Sequence, residues 1–156
     1  MEPVSIFNDV IGPIMRGPSS SHTAASFRLG RVARSLLGEE PLSARIIFDQ
    51  GGSYARVFRE QNSDLAFAAG LLGWEVTDPR FFQSLQLSAS EGRKFEFFGE
   101  PIEGADHPNF IRMELTSASG QKLNLQAKSV GGGAIEIVEV NDWPVFLTGD
   151  YYELLV

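Results

Sequence analysis

The chain contains no cysteine among its 156 residues. It can therefore form no disulfide, and it offers no thiolate to an iron–sulfur cluster. Long apolar runs are also missing, since no stretch approaches the ~20 consecutive apolar residues of a membrane-spanning helix. The N-terminus, Met1-Glu2-Pro3, lacks a basic leader before an apolar run. These absences favour a cytoplasmic location and exclude a disulfide-stapled or membrane-spanning design.

Positive charge is scarce relative to negative charge. The chain has 13 Lys and Arg residues against 20 Asp and Glu residues, which gives a net charge of -7 at pH 7. An acidic surface repels nucleic acid and anionic lipid, so neither is expected as a partner. Hydrophobic residues make up 43% of the chain, enough for one domain with its own core.

The spacing of apolar residues predicts helices first and strands later. Helices are expected near 20–37, 62–72 and 79–88, the last with Asp78 as its N-cap and Pro79 in its first turn. Apolar or alternating runs predict strands at 44–48, 94–98, 110–116, 121–127, 134–140 and 145–147. This order is typical of the α+β class. The 62–72 helix is apolar nearly all round, which indicates a buried helix.

The most informative segment is Gly17-Pro18-Ser19-Ser20-Ser21-His22-Thr23, at the entrance of the first predicted helix. The first amides of a helix lack intrahelical partners and favour negative charge, so hydroxyls and an imidazole placed there suit a small carboxylate or phosphate. A simpler interpretation is that Ser20 or Ser21 caps the helix while the other hydroxyls are solvated. One cap needs one hydroxyl, whereas four hydroxyls and a histidine are present. Both interpretations stay open from the sequence pattern.

Two further segments are candidates for a site. Gly131-Gly132-Gly133 lies between two predicted strands, where glycines form a turn or let the backbone approach a ligand or another chain. His107-Pro108-Asn109 precedes a strand in a loop, where a histidine is either exposed or functional. No spacing typical of metal ligands, a phosphate-binding loop or a catalytic triad is present.

These segments resemble the β chain, or β domain, of bacterial iron–sulfur-dependent L-serine dehydratases. The resemblance begins with Ser5-Ile6-Phe7 and Gly12-Pro13 and continues through the Gly17–Thr23 segment to Ala24. In the same order follow Gly52-Ser53 with Tyr54-Ala55-Arg56, Asp64 at the start of a helix, His107-Pro108-Asn109, and Ser129-Val130-Gly131-Gly132-Gly133-Ala134-Ile135-Glu136. The match covers nearly the whole chain. A related domain occurs in some phosphoglycerate dehydrogenases.

The resemblance implies a role in converting L-serine to pyruvate and ammonia, together with an α chain whose cysteines hold a 4Fe-4S cluster. It implies catalytic roles for His22 and His107 and a backbone approach at the Gly131–Gly133 run. The substrate-binding residues that it implies are Ser19, Ser20, Ser21, Thr23, Asp64 and Asn109. For the fold it implies a mixed sheet of about four or five strands with helices on one face. A homodimer is also expected, because the apolar final strands would otherwise leave an unpaired edge.

One position departs from the family pattern. Members carry a Gly-His-any-Thr-Asp segment whose histidine is a candidate base, and this chain has Gln61 at that place. An amide cannot take a proton at neutral pH. The alternatives are a base elsewhere (His22, His107, Glu60 or a partner group), a non-catalytic module that binds an anionic or amino-acid effector, and a plain structural domain.

The end of the chain carries a separate expectation. In two-chain members of the family, the strand after Gly149 begins a small regulatory module of the ACT type. The segment 150–156 resembles the opening strand of such a module. The domain is therefore expected to span 1–149, with 150–156 as the start of a truncated second module.

Overall fold

The structure is a computed structural model that describes residues 14–149. The segments Ser5-Ile6-Phe7, Gly12-Pro13 and 150–156 lie outside the described residues. The α-helices are α1 (Ser20–Leu37), α2 (Tyr54–Val57), α3 (Ser63–Leu71) and α4 (Ser84–Ser90). A 3-10 turn at Phe81–Gln83 leads directly into α4. None of the helices within 14–149 is long and apolar enough to cross a membrane.

Within the described part of the chain, six strands form one mixed sheet. They are β1 (Pro41–Asp49), β2 (Lys94–Glu100), β3 (Phe110–Ser117), β4 (Lys122–Gly131), β5 (Ala134–Val140) and β6 (Trp143–Leu147). Their order across the sheet is β2-β1-β3-β4-β5-β6. Among the strands within 14–149, only β1 and β2 are parallel neighbours, and the intervening helices α2, α3 and α4 supply the crossover that such a pair needs. The remaining neighbours are antiparallel and follow one another along the chain from β3 to β6.

The main core lies between one face of the sheet and the helices. Buried α1 residues such as Leu29 and Leu37 pack with alternate residues of the strands, for example Ile46, Met113 and Leu125. This alternation is what a half-covered antiparallel sheet requires. The opposite face is polar over most of its area and carries cross-strand ion pairs, including one between Arg45 Nη1 and Glu114 Oε2 at 2.8 Å. The predicted α+β class and the helices on one face are confirmed.

Helices α1 and α3 touch through their backbones at two glycines. A Cβ atom added to Gly70 would lie 2.4 Å from the carbonyl oxygen of Phe27, and one added to Gly30 would lie 2.7 Å from that of Phe67. Both distances are below any normal contact, so neither position accepts a side chain without movement. This crossing fixes the position of α1 over the sheet.

The structure corrects three expectations about elements. The sheet of the described residues has six strands rather than four or five, because all six predicted runs join it and even the short β6 pairs with β5 despite Pro144. The helix expected at 79–88 begins only at Ser84, because the Asp78 carboxylate accepts bonds from the Arg80 amide and guanidinium and closes a separate turn. The short helix α2, directly after Gly51-Gly52-Ser53, is not predicted by the sequence pattern.

The strand directions place several chain segments at one end of the sheet, which we call the site edge. Strands β1 and β4 end there, and β3 and β5 begin there, as the pairings of Phe48 with Ile111 and of Phe110 with Lys128 show. The N-terminal part of α1 reaches the same edge, because a Cβ on Gly133 would lie 2.9 Å from the Cβ of Ala24. The site edge therefore collects the α1 entrance, the β1–α2 loop, the loop before β3 and the glycine turn after β4.

Candidate functional site

The entrance of α1 is built by Ser19, which is the N-cap residue. Its hydroxyl makes no capping bond and instead lies 2.8 Å from Nδ1 of His22. The Thr23 amide donates to the Ser19 carbonyl at 3.0 Å, so the amides of the three residues before it are left without intrahelical partners. The expected cap by Ser20 or Ser21 is therefore wrong. Ser20 is exposed and Ser21 half-exposed at this first turn.

Thr23 serves the backbone of this entrance. It is fully buried, and its hydroxyl contacts the carbonyl oxygens of Arg16, Ser19 and Ser20. These bonds tie the first turn of α1 to the segment that precedes it. Thr23 is the one member of the predicted hydroxyl group that points into the fold rather than toward the entrance.

Arg16 connects the segment before α1 to the loop between α3 and α4. Its guanidinium donates to the carbonyl oxygens of Val76 and Asp78, the latter at 3.0 Å, and its centre lies 4.9 Å from the Phe81 ring centroid. Asn62 holds the segment from another side, since its Nδ2 donates to the Gly17 carbonyl at 3.2 Å. The approach to α1, which includes the cis bond between Gly17 and Pro18, is thus held by two independent elements.

His22 lies half-buried against Tyr54. The two ring centroids are 5.0 Å apart and the rings meet edge to face at 73°. Burial lowers the pKa of His22 below its ordinary 6.5, so the imidazole is neutral at pH 7. When Nδ1 donates to Ser19, Nε2 carries the lone pair and can accept a proton.

His107 and Asn109 form a second polar group at the site edge. The Asn109 amide donates to Nδ1 of His107 at 3.1 Å, which leaves Nε2 as an N–H donor in the neutral ring. The Asn109 side chain donates from Nδ2 to the Ser129 carbonyl at 3.3 Å and accepts from the Ser53 hydroxyl at 3.2 Å. His107 in this tautomer suits recognition of an acceptor, such as a carboxylate or hydroxyl oxygen.

The β1–α2 loop connects these two groups. A Cβ on Gly52 would lie 2.2 Å from the Pro108 carbonyl oxygen, so only glycine allows this approach. Two residues later, the Tyr54 amide donates to the same oxygen at 3.5 Å. Tyr54 therefore touches His22 with its side chain and the His107–Asn109 loop with its backbone.

The glycine turn packs on α1. Gly131, Gly132 and Gly133 all have positive φ angles, of 103°, 60° and 85°, which L side chains rarely adopt. Arg28 of α1 donates to the Gly133 carbonyl at 3.1 Å. Of the three, only Gly133 comes close to α1, whereas nothing lies within 4 Å of a Cβ added to Gly131 or Gly132. The approach to a ligand or another chain at these glycines stays a prediction.

Asp64 lies apart from these groups. It is in the first turn of α3, its Oδ1 accepts a bond from the Leu65 amide, and burial raises its pKa. It lines a cavity with Arg59, Leu85 and the 95–98 stretch of β2. Among the described residues, no contact links Asp64 to His22 or His107.

Gln61, at the place of the family histidine, is half-buried just before Asn62. Its side-chain oxygen Oε1 is buried and has no hydrogen-bond partner. Asn62 adopts a left-handed conformation, with φ 58°, and carries the bond to Gly17. The loop that would carry the base thus borders the α1 entrance.

The structure brings Ser19, Ser20, Ser21, His22, His107, Asn109 and the glycine turn to one edge. Sequence reasoning missed the connecting roles of Ser53, Tyr54 and Ser129. The usable signal was their occurrence inside conspicuous motifs, beside Gly52 and before the glycine run. The arrangement offers unpaired amides, hydroxyls, one neutral imidazole able to accept a proton and one N–H donor. Such a set can bind a small molecule by its carboxylate, and the neutral imidazole can accept a proton from that molecule.

Across residues 14–149 no group of three or more His, Cys, Asp or Glu side chains could hold an ion, and the sequence has no cysteine. An iron–sulfur cluster needs thiolate ligands, so the donor set of this chain does not fit that group.

Comparison with known proteins identifies relatives over nearly the whole chain. No family model matches. A probable L-serine dehydratase, beta chain, of Bacillus subtilis (strain 168) is 41% identical over 152 residues, which cover 97% of this chain and 67% of that protein. The L-serine dehydratase, beta chain, of Peptoniphilus asaccharolyticus is 32% identical over 148 residues, which cover 95% of this chain and 66% of that protein. The chain spans about two thirds of the length of both relatives. It belongs to the family of L-serine dehydratase beta chains.

Proposed function

We propose that this chain works as the β component of an L-serine dehydratase and that its site edge forms one wall of an L-serine pocket. The observation that carries the proposal is that Tyr54 joins the two histidine segments beside the entrance of α1: its ring contacts His22, and its amide donates to Pro108, the residue after His107. The names of the two relatives supply the substrate, and the unpaired amides with Ser20 and Ser21 suit its carboxylate.

The second part of the proposal is an α partner. Deamination of L-serine to pyruvate and ammonia requires loss of the hydroxyl group and of the α-proton. The family resemblance assigns hydroxyl activation to a 4Fe-4S cluster, and this chain has no ligands for one. We therefore assign the cluster to a separate α chain.

The residues of this chain would bind serine and handle a proton. His107, with Nε2–H as a donor, would hold a substrate oxygen. His22 is neutral because burial lowers its pKa, so it is the side chain at the site edge best suited to accept the α-proton. Gln61 cannot do so, and its unpartnered Oε1 suits a donor such as the substrate ammonium group.

The test is anaerobic co-expression with an α chain, reconstitution of the cluster, and a pyruvate assay on L-serine. His22→Gln is expected to lower turnover roughly 100-fold or more, the range of a lost general base. His107→Gln is expected to raise KM more than it lowers kcat. Gln86→Ala, on the exposed side of α4, is the matched control and should leave both constants unchanged.

A complex that assembles with an intact cluster and yields no pyruvate would overturn the catalytic part of the proposal. Gln61→His in that complex then separates two explanations. Turnover gained with Gln61→His would show a serine site that lacks only its base. Continued inactivity would favour the second candidate function.

The second candidate is a non-catalytic module that binds an anionic or amino-acid effector. It is favoured by one observation, Gln61 in place of the family's candidate base. It predicts that calorimetry detects L-serine or phosphate binding to this chain, that Ser20→Ala together with Ser21→Ala weakens it, and that no turnover accompanies it. Absence of binding to both ligands would exclude this function.

A homodimer completes the proposal. Strand β6 is the outermost strand on one side of the sheet, and its Trp143 and Phe146 side chains are 75% and 70% exposed. An edge strand with exposed aromatic residues is the kind of element that subunit contacts cover. Sedimentation of the chain before and after Trp143→Ser tests this contact, and a monomer at all concentrations would exclude it.

A further inference from the structure

Tyr54 contacts two segments of the candidate site, and the first of these contacts is made by its ring. The side chain is fully buried. On one side it packs against an aromatic cluster that contains Phe48 and Phe58, and the Phe48 ring centroid lies 4.8 Å from its own. On the other side is the His22 imidazole, at 5.0 Å between centroids. The Tyr54 ring therefore lies between the core and the histidine.

The hydroxyl of Tyr54 reaches the backbone of the same histidine. Its oxygen lies within hydrogen-bond distance of Ser26 Oγ and, at 3.3 Å, of the His22 carbonyl oxygen, so its single proton can be donated to either acceptor. Ser26 Oγ in turn donates to that carbonyl at 2.7 Å. Tyr54 therefore contacts His22 in two ways. Its ring meets the imidazole, and its hydroxyl reaches the His22 carbonyl both directly and through Ser26.

The Tyr54 phenol is not suited to carry a proton in a reaction. Burial raises its pKa to about 12, so the group stays protonated and neutral at every usable pH. A neutral phenol with a fixed bonding pattern orients its neighbours. Tyr54 differs in this respect from His22, whose pKa is lowered by burial, so that its imidazole is neutral at pH 7 and can accept a proton.

We propose that Tyr54 is the positioning residue of the site edge: its ring and hydroxyl fix the orientation of His22, while its amide holds the His107–Asn109 loop. The catalytic meaning of this role rests on the function proposed above, but the geometric claim does not. Removing the Tyr54 side chain should release His22 and leave the His107 loop in place, because that loop is held by the Tyr54 backbone and by Gly52.

The two histidines of the chain make the claim testable by NMR of the imidazole nitrogens. His107→Gln assigns the two sets of signals. In Tyr54→Leu the imidazole of His22 loses its edge-to-face contact, so its pKa is expected to rise toward 6.5, while the His107 signals stay in place. Tyr54→Phe keeps the ring and is expected to retain most of the wild-type pKa of His22.

Phe58→Leu is the matched control. Phe58 stacks on Phe48 at 4.7 Å in the same aromatic cluster and makes no ring contact with His22. If Tyr54 matters only as a core residue, Phe58→Leu and Tyr54→Leu will move the His22 signals equally. That result, or an unchanged pKa of His22 in Tyr54→Leu, would overturn the proposal.

A second pair of variants covers the case in which Tyr54→Leu fails to fold. Tyr54→Phe and Ser26→Ala each break the hydroxyl link from Tyr54 to the His22 backbone with little change in volume. Both are expected to shift the His22 signals in the same direction. Unchanged signals in both variants would also overturn the proposal.

Turnover by the complex with an α chain supplies the functional readout. Tyr54→Leu is expected to lower kcat about tenfold or more with little change in KM, because a displaced base slows the chemical step more than binding. Phe58→Leu should retain nearly full kcat. An inactive wild-type complex would count against the proposed function, while the NMR result would still decide the role of Tyr54.

Discussion

At the crossing of α1 and α3, Gly30 and Gly70 bring two helices into backbone contact, whereas at the site edge Gly52 and Gly133 bring loops against their neighbours. Both regions exclude a Cβ atom, but they differ in what surrounds the contact. The helix crossing is buried within rigid elements. The loop contacts lie in a region where hydrogen bonds between loops, such as the one from Ser53 to Asn109, hold the backbone in place. The same steric constraint should therefore act on stability in one region and on site geometry in the other.

The largest effect is expected for Gly70→Ala. Alanine raises helix propensity by about 1 kcal/mol relative to glycine, but its Cβ would lie 2.4 Å from the carbonyl oxygen of Phe27. Neither helix can move without disturbing the core beneath it, so the free energy of unfolding should fall by about 3 kcal/mol, the upper part of the range for overpacking. Urea denaturation measures this loss.

Gly99→Ala is the control for that prediction. Its added Cβ would make an ordinary contact of 3.6 Å with the Cβ of Ala55. The change in unfolding free energy should stay within about 0.5 kcal/mol. Equal losses in Gly70→Ala and Gly99→Ala would show that the helix crossing tolerates a methyl group.

A smaller loss of stability with a larger effect on the site is expected for Gly52→Ala. The new Cβ would lie 2.2 Å from the Pro108 carbonyl oxygen, and loops can separate more easily than packed helices. We expect a loss of about 2 kcal/mol and displacement of the His107 imidazole signals. Separation of the loops would break the bond from Ser53 to Asn109.

Gly51→Ala tests whether contact with backbone is the cause. Its Cβ would lie 3.0 Å from the side-chain oxygen Oδ2 of Asp49, which can rotate away. The His107 signals should therefore stay in place. Equal displacement of these signals in Gly51→Ala and Gly52→Ala would contradict the assigned role of the Pro108 contact.

The two regions also differ in how far the sequence predicts them. Helix α1 and strand β5 have the expected bounds, because a regular apolar period reports directly on burial against a sheet. The crossing at Gly70 could not be predicted, because a glycine inside a helical pattern indicates only a lower helix propensity at that residue. The last strand was predicted at 145–147 but begins at Trp143, because Pro144 disfavours a strand by local pattern alone.

The candidate site was predicted only in part for a related reason. The residue types at the α1 entrance are visible in the sequence, but strand register decides that His107 comes to the same edge. Thr23 looked equivalent to its neighbours, yet its place in the first turn directs its hydroxyl to the Arg16 carbonyl. Tyr54 lies in a conspicuous motif beside Gly52, but the motif does not reveal its role, because a positioning residue is defined by contacts between distant segments.

The smallest effect concerns the glycine turn, where conformation and contact can be separated. Gly132→Ala should lower the unfolding free energy by about 1 kcal/mol, because φ is 60° and nothing lies within 4 Å of the added Cβ. Gly133→Ala adds a contact of 2.9 Å with the Cβ of Ala24 and should be about 1 kcal/mol less stable than Gly132→Ala. Urea denaturation of both variants measures that difference.

Combining Gly133→Ala with Ala24→Gly assigns the difference to its cause. The second change removes the atom that the new methyl group meets, so the two losses should be less than additive. Strict additivity would mean that the turn moves away from α1 at no cost. The glycine turn would then resemble neither the rigid helix crossing nor the Gly52 contact, and backbone conformation alone would account for its three glycines.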